Sequence, residues 1–157
     1  MRNRIAYSSI LAVMIGVAVL ITLVYQLPTW ILFIAWVSYS VFGKKMKDIF
    51  LSLSQLVFGS ILAALILLIG GSLQNFIGIA SIPIAITIVV FIFLFLDQYL
   101  KPFTNINAYF LGMIALFSMH PPLSWGVFWS TAFTILLGFL FGWGTDMIDR
   151  LFDVESK

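Results

Sequence analysis

The chain has 157 residues, 62% of them hydrophobic and 9% charged, with a mean hydropathy of +1.15 and a formal net charge of +2. A soluble domain carries roughly 25% charged residues, so this composition predicts a polytopic membrane protein, and the small charge gives no case for a nucleic-acid partner. With no cysteine, disulfides, thiolate nucleophiles and Cys-ligated metals are excluded.

Apolar runs punctuated by Pro, Gly and charge divide residues 1–157, read as one transmembrane domain, into six segments. They are Ile5–Tyr25, Thr29–Phe42, Ile49–Ile69, Phe76–Leu96, Phe103–Met119 and Trp125–Met147, followed by a short tail over 148–157. Four approach the ~20 residues that a helix needs to cross a bilayer. The second and fifth are short, and each follows a proline, Pro28 or Pro102.

The first segment follows Arg2 and Arg4 and is too long for a signal-peptide core, so it reads as a retained helix. Its Ser8, Ala12 and Gly16, spaced by four, read as a packing stripe. Thr29–Phe42 covers only ~21 Å of a hydrocarbon core near 30 Å. Charge placement nevertheless predicts that it crosses. With the N-terminus in the cytoplasm and six crossings, all eight Lys and Arg fall on the cytoplasmic side, as the positive-inside rule requires. Both termini then lie in the cytoplasm. Trp36, Tyr39 and Ser40, inside this short span, are candidates to line a solute passage, beside Ser38.

In the third segment Gln55, Gly59 and Ala63 form another small-residue stripe. Gln55 stands out because an amide inside a span needs a partner, whether protein, water or solute. The outer turn to the fourth segment is expected at Gly70–Asn75. In the fifth, Asn105, Ala108, Gly112 and Ala115 share one helical face, which permits close backbone approach. Asn105 and Gly112 on that face are solute-pathway candidates, and so is Asn107, although it points elsewhere, toward a cap or a neighbouring helix. His120, before Pro121 and Pro122, marks the outer mouth. The sixth segment carries Gly138 and Gly142, a packing match. The acids beyond it, Asp146 and Asp149 among them, are expected to form a solvated face of an amphipathic tail helix.

The order long, short, long and again long, short, long suggests two three-span halves of opposite sense, a 3+3 inverted repeat. Every Asp and Glu lies at or beyond a predicted cytoplasmic helix end. That disfavours proton coupling through a buried carboxylate, and no catalytic or metal set assembles. No cofactor is expected.

The stretches TWILFIAWVSYSVFG, PFTNINAYFLGMIALFS and LLGFLFGWG resemble a bacterial inner-membrane family, domain of unknown function 1097. The likeness covers nearly the whole chain. It departs in the Asn-rich FTNINAYFLG before Gly112 and in the Met-His-Pro-Pro ending of that span. The resemblance implies a small bacterial cytoplasmic-membrane protein and no particular activity. The residues themselves predict an all-α, six-span bundle acting as a homo-oligomeric permease or channel, dimer or trimer, for a small uncharged solute. The alternative is a non-transporting scaffold or assembly partner.

Overall fold

A computed structural model of the chain describes residues 2–43, 46–97, 99, 105–119 and 124–152. Six α-helices follow one another: α1 Arg2–Val24, α2 Thr29–Phe42, α3 Met46–Ile77, α4 Ser81–Asp97, α5 Ile106–Phe117 and α6 Trp125–Leu151, with a 3-10 turn Gly78–Ala80 between α3 and α4. No strand occurs among the described residues. The helical stretches Arg4–Val24, Lys47–Leu96 and Trp125–Leu151 are long and apolar enough to cross a membrane, and α2 and α5 are shorter apolar helices.

Local chemistry sets the helix ends. After α1 the Leu27 N–H reaches the Thr22 carbonyl at 2.8 Å and the Gln26 N–H the Leu23 carbonyl at 3.3 Å. This is a Schellman turn, whose left-handed position is taken by Gln26 at φ +52°. Pro28 then precedes α2 with φ −71°, a value its ring fixes. Ser124 opens α6, its side chain accepting from the Val127 N–H at 3.3 Å and so satisfying one of the orphan donors of the first turn.

The reversal after α3 falls later than the sequence predicts. Gly70 and Gly71 lie within a helix that runs on to Ile77, and the chain turns at Gly78, φ +55°. Gly70 instead makes room for a neighbour: a Cβ there would run into the Ile82 side chain of α4. α3 is thus 32 residues long, about 48 Å at 1.5 Å per residue.

Contacts fix the helix directions. On α3 and α4, Ile82 meets Gly70, while Ala63, Ile66, Ala85 and Val89 share one core cluster, so the two run antiparallel. On α1 and α6, Tyr7 reaches Asp149 while Met14 lies beside Gly144, again antiparallel. α2 and α6 run parallel: Leu32 and Ala35 meet Gly138, and Tyr39 meets Gly142. α3 and α5 also run parallel, since Tyr109 meets Phe58 while Leu116 clusters with Ala63 and Ile66. Ser38 and Ser52, hydrogen-bonded at 3.0 Å, tie α2 to α3 in the centre. α1 lies at the periphery, and Ser8, Ala12 and Gly16 are all exposed. The stripe read as packing is therefore uncovered among the described residues, and a Cβ on Gly16 would meet nothing within 4 Å.

The two parallel pairs are built alike. A Cβ on Gly138 would strike the Leu32 carbonyl, and a Cβ on Gly59 would strike the Tyr109 carbonyl. When Ala35 is set against Gly112, the buried residues of α2 (Ile31, Leu32, Ala35, Ser38, Tyr39) fall on Ala108, Tyr109, Gly112, Ala115 and Leu116, all buried on α5. When Gly59 is set against Gly138, buried Ser52, Gln55, Leu56, Gly59, Ser60 and Ala63 fall on Thr131, Thr134, Ile135, Gly138, Phe139 and Gly142, all buried on α6.

Candidate functional site: a cleft between α3 and α6

A cleft of about 560 Å³ opens where the middle of α3 faces the first half of α6. One wall is Val57, Ser60, Ile61, Ala64 and Leu68, spaced three and four apart along one face of α3. The other runs from Trp125 through Phe128 and Thr131 to Ile135 on α6, and Leu116 of α5 reaches into the same space. The volume lies within the ~300–1,000 Å³ of small-molecule sites. No lining residue carries a formal charge.

Its polar groups are hydroxyls with existing partners. Ser60 Oγ lies 3.2 Å from the Leu56 carbonyl and 3.0 Å from that of Gly112, donating toward both. Thr131 donates to the Met119 sulfur at 3.4 Å, and Ser124 caps its own helix. The walls therefore offer apolar surface with a few hydroxyl lone pairs, suited to an uncharged solute and costly for an ion.

The sequence-predicted pathway residues do not converge on this cleft. Trp36 is held in the α2–α6 seam, its Nε1–H donating to Thr145 Oγ1 at 3.0 Å and its ring stacked between Phe33 and Phe141. Tyr39 is buried, and its hydroxyl donates to Asp146 Oδ2 at 2.8 Å. Ser40 is exposed and bonds its own helix at the Trp36 carbonyl. Gly112 is buried where a Cβ would meet the Leu56 carbonyl, so it serves close helix approach. Asn105 is half-buried at the N-cap of α5 with no side-chain capping bond, and Asn107 is exposed. His120 lies outside the described residues.

Gln55 differs from the rest. It is 1% exposed, and its Nε2 has no hydrogen-bond partner among the described residues. An unsatisfied buried donor costs about 1–3 kcal/mol. One helical turn away on the same face is Ser52, bonded to Ser38. In the alignment of the two seams, Ser52 and Gln55 correspond to Thr131 and Thr134, so both halves bury a polar pair three residues apart at equivalent positions of the seam.

The acids of α6 were misplaced by the sequence reading. Asp146 and Asp149 are half-buried and accept the hydroxyls of Tyr39 and, at 2.7 Å, Tyr7. The helix runs on past Met147 to Leu151. Gly138, Gly142, Asp146 and Asp149 therefore continue one face, at spacings of four, four and three. That continuation was the available signal. Charged-assisted bonds of this kind contribute about 1.5–3 kcal/mol each when shielded, less where water reaches them.

Residues 10–149 match the family described as "Protein of unknown function (DUF1097)". The chain belongs to that family. Nothing among curated proteins or solved structures matches this DUF1097 member.

Proposed function

We propose that the protein is a small-solute permease of the bacterial cytoplasmic membrane, with six spans arranged as a 3+3 inverted repeat. The correspondence of the two glycine-seated pairs carries the reading. α2 against α6 and α5 against α3 bury equivalent positions, yet an exchange of the halves reverses every helix direction. Membrane carriers built this way bind their solute where the repeats meet, and the α3–α6 cleft lies between the two helices that such an exchange interchanges.

The helix directions alternate from α1 to α6, so with the N-terminus in the cytoplasm every Lys and Arg falls on the cytoplasmic side. The solute is small and uncharged, in keeping with the cleft's uncharged lining. It enters from the outer leaflet side. The protein acts as a homo-oligomer, dimer or trimer, and not as an enzyme. The exposed Ser8–Ala12–Gly16 face of α1 supplies a surface for close helix approach between copies.

Liposomes containing the protein should pass small neutral solutes faster than empty liposomes, and Ser60→Phe, which fills the cleft, should abolish the difference. Flux equal to that of empty liposomes over a broad neutral-solute panel would refute the reading. A non-transporting scaffold is the second reading, favoured by one observation: Trp36, Tyr39 and Gly112 are engaged in helix packing rather than around a passage. A scaffold should show no flux and should retain a bound protein through purification.

A further inference from the structure

The two ends of the α3–α6 interface are equivalent in frame and different in filling. In the seam alignment Ser60 corresponds to Phe139, Ala64 to Trp143, and Leu116 to Tyr39. The first of each pair lines the open cleft. At the other end, the Phe139 and Tyr39 rings meet edge-on with centroids 5.8 Å apart. They belong to one core cluster with Leu56 and Ile135, against which Ile49 and Leu53 pack. Ile49 and Leu53 are in turn the counterparts of Phe128 and Ala132 in the cleft. Where one end has a serine and an open space, the other has aromatic rings and a packed core.

Two bonds within the α2–α6 seam hold the side chains of the filled end in place. The Tyr39 hydroxyl donates to Asp146, and the Trp36 indole donates to Thr145. Both bonds join α2 to the last turns of α6. Neither has an equivalent in the other seam, where Leu116 and Met113 stand in place of Tyr39 and Trp36. A two-fold-related frame has two equivalent packings, and the side chains decide which end is open.

From this asymmetry we infer that the structure is the outward-open member of a pair of states, and that the Phe139 cluster closed by Ile49 and Leu53 of α3 is the cytoplasmic gate. The inward-open partner keeps α6 seated on α2, as α3 is seated on α5 here, and has Ile49 and Leu53 of α3 withdrawn from Phe139, a cleft beside Ser52 and Leu53, and α3 closed on α6 around Ser60. The inference rests on the permease reading and specifies its mode: alternating access through a gate rather than a continuous pore.

The test uses the cysteine-free chain as background for single cysteines. Ala132→Cys reports on the cleft and Leu53→Cys on its counterpart, each with a membrane-impermeant maleimide applied from outside cells or to inverted vesicles. In the native background Ala132→Cys should react from outside and Leu53→Cys should react slowly from inside. Phe139→Ala, which empties the filled end, should raise the Leu53→Cys rate about tenfold and slow Ala132→Cys in step. Ser60→Phe should produce the same exchange from the opposite end, by filling the cleft rather than releasing the gate.

Three results would overturn the gate: Ala132→Cys unreactive from outside in monodisperse protein, Leu53→Cys unchanged in both variants, or both rates rising together. Solute flux with fixed accessibility means a pore without this gate. Exchange of accessibility without flux for any solute leaves the gate standing and removes the permease.

Discussion

The α2–α6 and α3–α5 seams share a backbone arrangement and differ in what covers it. Both seat a glycine on a carbonyl of the shorter helix, Gly138 on Leu32 and Gly59 on Tyr109. Both bury the same positions. Beyond that frame, α2–α6 carries Trp36, Tyr39 and Phe139 with hydrogen bonds to Thr145 and Asp146, while α3–α5 carries Met113, Leu116 and Ser60. Small residues therefore hold the frame, and a few large ones fill one end of it. The comparison separates what builds the bundle from what sets its state.

The largest expected effect falls on the frame. Gly112→Ala or Gly59→Ala drives a methyl group into a backbone carbonyl that cannot move without parting two helices. Each should cost about 3 kcal/mol, the upper part of the overpacking range, read as loss of thermal stability in detergent. Gly138→Ala should cost a similar amount if the seams are equivalent. A harmless Gly138→Ala beside a damaging Gly59→Ala would break the comparison. Gly71→Ala serves as the control, because nothing lies within 4 Å of the added carbon, and it should be neutral or slightly stabilising.

Next in size is the bond present in only one seam. Tyr39→Phe should cost about 2 kcal/mol in the same unfolding measurement, and the double variant with Asp146→Asn should cost little more, because the two residues share one interaction. Ser124→Ala should cost about 1 kcal/mol by removing the cap of α6. Smallest, and opposite in sign, is Gln55→Leu. It removes a buried donor that has no partner among the described residues, so stability should hold or rise by up to about 1 kcal/mol, while solute flux should fall if the amide meets the solute.

The helical segments and their order were legible because apolar length and punctuation report directly on helices that have no water to face. The glycines were harder. Gly70-Gly71 looks like a turn and is helix, because a sequence cannot distinguish a glycine that turns the chain from one that admits a neighbouring side chain, here Ile82. The close-packing faces through Gln55, Gly59 and Ala63 and through Ala108, Gly112 and Ala115 were visible, but the Ser8–Ala12–Gly16 face looked the same and is exposed among the described residues.

Correspondence between the halves was faint in the residues because the frame constrains size at a handful of positions and leaves chemistry free. Gln55 stands opposite Thr134 and Ser60 opposite Phe139, pairs that share burial and nothing else. Asp146 and Asp149 were taken for solvated charges because their partners, Tyr39 and Tyr7, lie more than a hundred residues away in the chain. The cleft was missed for a similar reason: its walls are ordinary apolar residues, marked only by where α3 and α6 diverge.

The most direct measurement concerns which faces of the membrane the connections occupy. Single cysteines replacing Lys45, Gln74, Lys101 and Gly126 in turn can be exposed to an impermeant thiol reagent on intact cells and on inverted vesicles. Two oppositely oriented halves require Gln74→Cys and Gly126→Cys to react only on cells, and Lys45→Cys and Lys101→Cys only on inverted vesicles. Reaction of Lys45→Cys on intact cells would mean that α2 turns back without crossing, and the equivalence of the two seams would be lost with it.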